Sequence, residues 1–207
     1  MRRSALVPSC FALRIAKTLL VLAGLVALSG CWVTSVNPLY EDKFVSKPDP
    51  DLIFDQNLVG TWGFDDEDCP GTLKIEAEEG AYDLTMTPSP QCKRDEKILK
   101  YEGHLVKLDS HVFLDLAPQQ EEVCVMCLPL RQFFLVKIER NSLALTPIDY
   151  DWLKKSIEQK TVIIQTVPDR PEIVLTASSK ELKDFVRKYA DDKSAFRSVP
   201  SDTFKRK

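Results

Sequence analysis

The chain has 207 residues, with 28 Lys+Arg against 31 Asp+Glu, two histidines, six cysteines and seven glycines. That length suits one domain with flanking segments, and 44% apolar residues supply a true core, which excludes full disorder. A net charge of −3 gives no electrostatic reason to expect nucleic acid, and so few glycines leave little material for phosphate-cradling loops.

Residues 1–30 differ from the rest. Arg2, Arg3, Arg14 and Lys17 are basic, and no acid precedes Glu41. Thr18 to Leu28 is an almost unbroken apolar run, too short for the roughly 20 residues of a membrane-spanning helix. A basic flank, a short apolar stretch and small residues predict a secretory signal. The run ends Leu28-Ser29-Gly30-Cys31, which resembles the lipobox of bacterial lipoprotein precursors. The resemblance implies a diacylglyceryl (palmitate-type) thioether on Cys31 and cleavage just before it. Each buried CH₂ is worth about 0.8 kcal/mol, so two or three chains anchor stably in a bilayer. Trp32 stands where an aspartate favours inner-membrane retention, so the outer membrane, with the body in the periplasm, is the expected address. Without residues 1–30 four positive charges go, leaving 24 Lys+Arg against 31 Asp+Glu and a net charge of −7. The acyl chains, not the protein surface, are then expected to bind the membrane.

Residues 31–57, with Pro38, Pro48 and Pro50 among acids, predict a tether in which 37–40 and 52–54 dock locally. From Leu58 the dominant period is two. Strands are expected at 58–64, 72–78, 81–87, 98–108, 111–116, 132–140 and 143–148, with two more at 161–167 and 172–177 closing the set. Tyr150–Gln159 and Glu181–Tyr189 carry helical periodicity, the first capped by Asp149 or Asp151, the second preceded by a capping box of Ser178 and Glu181. Residues 58–190 are read as the domain and 191–207 as a frayed polar tail. A meander of this many half-buried strands solves its edge problem best by closing, so the expected fold is mostly β: an antiparallel up-and-down barrel of about eight or nine strands with two flanking helices.

Alternating strands sort the loops. Tight turns 79–80, 109–110 and 141–142 share one end, and the long connections 65–71, 89–97 and 117–131 share the other. Cys69, Cys92, Cys124 and Cys127 all lie in the long set. In an oxidising compartment the favoured pairs are Cys69–Cys92 and Cys124–Cys127, the alternatives being a redox CxxC or a four-thiolate zinc site.

The turn at 109–110 pairs His104 with Asp115 and His111 with Leu108. With Leu105, Val112 and Leu114 on the core face, His104–Asp115 is expected as a surface pair on the outer face. No nucleophile-elbow, P-loop, zincin or dinucleotide motif occurs. The chain is therefore read as a non-enzyme without metal or cofactor.

Gly60-Thr61-Trp62 resembles the G-x-W of lipocalin-like barrels. The resemblance implies that Gly60 permits close approach and that Trp62 is a structural plug at the closed base, with long loops around the mouth. The layout is similar to bacterial lipoproteins with a lipocalin-like body. Two functions follow: a membrane-anchored binding module for a small apolar ligand, or a structural or assembly lipoprotein meeting an envelope protein through its loop rim. Inward Tyr82, Tyr101, Phe134 and Met86 favour a filled barrel, whereas inward Ala77 and Gly103 favour a cavity.

Overall fold

The computed structural model describes residues 33–41, 49–119, 130–196 and 203–207. The leader, Cys31, Cys124 and Cys127 lie outside the described residues.

Nine strands form one antiparallel sheet. Eight of them close into a barrel in the order β3 (Gly60–Phe64), β4 (Gly71–Glu78), β5 (Ala81–Pro88), β6 (Leu99–Leu108), β7 (His111–Pro118), β8 (Gln132–Ile138), β9 (Ser142–Pro147) and β11 (Thr203–Arg206). The ring is sealed where β11 pairs with both β9 and β3. The short β2 (Leu52–Ile53) adds to the last part of β6, beyond the stretch that β5 covers. The hairpin turns fall where expected, and Asp109 and Gly80 supply the left-handed backbone at two of them.

Closure differs from the sequence expectation. Residues 161–167 are not a barrel strand: Thr166 makes one isolated bridge to Leu175. β10 (Ile173–Leu175) pairs in parallel with β1 (Val33–Ser35), outside the barrel. The eighth barrel strand comes instead from the stretch expected to fray. In β11 the only buried apolar residue is Phe204, flanked by charged or polar residues, so its period-two signal is too short to read.

Two cores result from the pleat. Inward residues Leu58, Trp62, Leu73, Ile75, Tyr82, Leu84, Leu105, Leu114, Leu143 and Phe204 fill the barrel. Outward Val106, Leu108, Phe113 and Phe133 form a second apolar layer. Against it pack α1 (Tyr150–Glu158), through Leu153, and α2 (Ser179–Tyr189), through Leu182, Phe185 and Val186. Both caps appear as expected: Asp149 accepts the Trp152 N–H at 2.8 Å, and Ser178 and Glu181 form the capping box. Thus β6 and β7 are apolar on both faces, which is why their alternation is blurred in the sequence.

Within 31–57 the described residues lie against the body, with 37–40 and 52–53 docked as expected. Leu39 and Tyr40 are buried in the outer core, and β1 begins at Val33. Asp49 lies beneath α2, where the Lys183 ammonium donates to Asp49 at 2.6 Å and to Asp51 at 2.7 Å.

This cover also moves the histidine pair. His104 does face Asp115, and His111 faces Leu108. The pair is on the outer face but not on the surface: His104 is 5% and Asp115 0% exposed. Asp115 accepts the Leu39 N–H at 2.6 Å on one oxygen and Arg131 Nε–H at 2.7 Å on the other. Arg131 also donates to the Tyr40 hydroxyl at 3.0 Å, and the Tyr40 ring lies 4.5 Å from the His104 ring. Burial pushes the Tyr40 hydroxyl up to about 12 against the pull of the Arg131 charge. Burial likewise pushes the Asp115 carboxyl up, while Arg131 and the Leu39 N–H oppose it. This is a polar clasp in which Arg131 and the Leu39 N–H satisfy both oxygens of the buried Asp115 carboxylate.

Candidate functional site

The barrel is sealed at the tight-turn end and hollow at the other. At the sealed end the 3-10 turn Gln56–Leu58 crosses the base. Phe54 stacks on Tyr82 with ring centroids 5.1 Å apart, and the Tyr82 hydroxyl accepts the Asp55 N–H at 2.7 Å. Trp62 is fully buried, and its indole N–H donates to the Leu58 carbonyl at 3.0 Å. The Arg206 guanidinium lies 4.1 Å above the indole and donates to the carbonyls of Val59 and Asn57 at 3.0 and 2.6 Å. Gly60 makes room for it: a Cβ there would stand 2.6 Å from Arg206 Nη1, and the φ of 144° also disfavours any side chain. The close approach at Gly60 thus admits an arginine from the last strand, a partner that sequence reasoning did not identify.

Toward the long loops the side chains no longer meet. They leave a cavity of about 710 Å³, within the range of pockets that hold one small molecule. Its wall is mainly apolar, with Leu73, Leu84, Met86, Leu116, Phe134 and Leu145 from successive strands. Tyr101 faces it too, and burial alone pushes its hydroxyl up. Of the expected fillers, Tyr82 packs the sealed end, while Tyr101, Phe134 and Met86 line the hollow without filling it. Of the small residues, Ala77 is exposed at a hairpin end and lines nothing. Gly103 does face inward, but Leu84, Leu114 and Leu116 occupy the space its Cβ would take.

The β1–β10 ribbon passes over the mouth, contributing Thr34 and Val174, with Arg170 and Glu172 from the segment just before β10. Thr34 Oγ1 is buried there and has no hydrogen-bond partner among the described residues. Backbone bonds hold the ribbon: Ser35 N–H to the Arg131 carbonyl at 2.9 Å, and Arg131 N–H to the Ser35 carbonyl at 2.8 Å. The strand expected at 172–177 is present as β10, but its parallel partner β1 is not legible in the sequence, because three residues carry no periodicity.

On the rim, Cys69 and Cys92 form a disulfide linking the loop after β3 to the loop after β5. Its formation removes these two sulfurs from any four-thiolate metal set. Among the described residues no three His, Cys, Asp or Glu converge as a metal site, and no helix is long and apolar enough to cross a membrane. Comparison with family models, with curated proteins and with solved structures yields no match.

Proposed function

We propose that the protein is a lipid-anchored lipoprotein of the bacterial envelope, non-catalytic, whose barrel binds one small apolar or amphiphilic ligand. The observation carrying this reading is the apolar hollow of about 710 Å³ in a barrel otherwise packed to its base. A void of that size lined by Leu, Met and Phe forgoes dispersion contacts, and a ligand with an apolar body restores them. Thr34 Oγ1, buried at the mouth, offers a hydrogen bond to a polar end of that ligand. The anchor reading rests on the lipobox Leu28-Ser29-Gly30-Cys31, and Trp32 after it supports the outer membrane, with the domain in the periplasm, as the proposed address. The oxidising compartment it implies is consistent with the Cys69–Cys92 bond.

The test uses the Cys31→Ser protein purified from the periplasm without acyl chains. N-phenyl-1-naphthylamine should brighten saturably at one site, and Leu84→Trp, which fills the hollow, should abolish the signal with the fold intact by circular dichroism. Organic extracts of the purified protein, read by mass spectrometry, should contain a defined small molecule. A flat titration together with empty extracts would reject the binding role and favour a structural lipoprotein whose rim meets a protein partner.

A further inference from the structure

We infer that the barrel mouth is held against the bilayer, so that the cavity opens directly onto the membrane. This rests on the lipid-anchor and ligand-binding readings above and adds an orientation to them.

Three observations converge. The first is the shortness of the connection. Cys31 stands two residues before β1, and the Thr34 side chain lines the cavity. Three extended residues reach at most about 11 Å, so the acylated sulfur stays within that order of distance of the mouth. The second is the lack of slack beyond that point. β1 is fixed to β10 along all three of its residues and bridged to Arg131, and Leu39 and Tyr40 are clamped on the outer wall. The body therefore cannot pivot freely about a long linker. The one residue between the anchor and β1 is Trp32, a residue type enriched where membrane meets water.

The third observation is independent of the leader. The rim carries Ile98 at 58% and Leu99 at 39% exposure, two of the four large apolar side chains most exposed among the described residues. Leu99 also lines the cavity, so an exposed apolar side chain of the rim reaches into the interior. An exposed apolar edge joined to an apolar hollow suits a surface seated in the headgroup layer, where an acyl chain can pass inward without crossing water. The sealed end points away, since the eight residues of β4 alone rise about 26 Å along the strand.

The experiment uses the mature, acylated protein in phosphatidylethanolamine–phosphatidylglycerol vesicles containing doxyl-labelled lipid. An azidophenylalanine replacing Lys97 at the rim, or Glu79 at the opposite turn, carries an environment-sensitive dye. The dye at 97 should lose most of its emission to the doxyl groups, and the dye at 79 should keep its own. Inserting a Gly/Ser linker of about 20 residues between Trp32 and Val33, with a reach of about 25 Å, should abolish that difference while leaving acyl mass and naphthylamine binding unchanged. Equal quenching at 97 and 79, or stronger quenching at 79, overturns the orientation alone. A protein that carries no acyl mass and washes off the vesicles overturns the anchor reading and the orientation with it. Rim quenching without saturable naphthylamine binding keeps the orientation and rejects the ligand.

Discussion

The backbone N–H of Leu39 donates to the carboxylate of Asp115 at 2.6 Å, across 76 positions of sequence. Through this bond the stretch expected to dock locally becomes part of the cover of the barrel's outer wall. Arg131 completes the arrangement by holding the other Asp115 oxygen and the Tyr40 hydroxyl. Replacing Arg131 with Ala leaves a fully buried carboxylate without its cation. Loss of one partner of a buried pair costs about 3–5 kcal/mol, and urea unfolding should show a drop of that order. Tyr40→Phe removes only a hydrogen bond and should cost about 0.5–1.5 kcal/mol.

The clasp of Lys183 with Asp49 and Asp51 carries a pH signature. Burial works against the charge on Asp49, but the Lys183 ammonium and the N–H groups of Glu41 and Asp51 outweigh it and hold its carboxyl below the ordinary 3.8. Because the folded value is lowered, the contribution is complete above pH 3.8 and lost as pH falls through the folded value. On Lys183 burial pulls the other way, yet the two carboxylates hold its ammonium above the ordinary 10.5, so its share persists below that pH and fades above it. Urea midpoints of the native protein and of Asp49→Asn should therefore differ at neutral pH and converge in acid. A gap of constant size down to pH 2 would contradict the pairing.

The Cys69–Cys92 bond joins two loops of the rim. Replacing both cysteines with Ser should lower stability by about 2–4 kcal/mol in urea unfolding, with the barrel retained by circular dichroism. Removal of both together avoids leaving a stray thiol.

The last five residues close the barrel. Ending the chain at residue 202 would strip β11 from between β3 and β9 and leave two long unpaired edges. The shortened protein should aggregate or elute as a mixture in size-exclusion chromatography. Arg206→Ala is milder: it removes the cation over Trp62 and three carbonyl hydrogen bonds, at a cost of about 1–3 kcal/mol by thermal unfolding.

Local chemistry determined a large part of this protein before any contact was known. Period-two runs fixed β4 to β9 and their hairpin turns, and the turn at 109–110 set the pairing of His104 with Asp115. The capping groups Asp149 and Ser178 marked both helices, and the loop ends that share a rim brought Cys69 to Cys92. Tertiary structure alone decided that the cover buries His104 and Asp115, which strand closes the ring and where the hollow lies. The reason is the range of the forces involved. Alternation and capping act over two to four residues and leave a trace in every short window. The burial of His104 and Asp115 depends on Leu39 and Tyr40 arriving from far away, and β11 is a strand only because β3 and β9 present open edges to it. A cavity is the space that side chains from several strands fail to fill, and no single stretch of sequence records it.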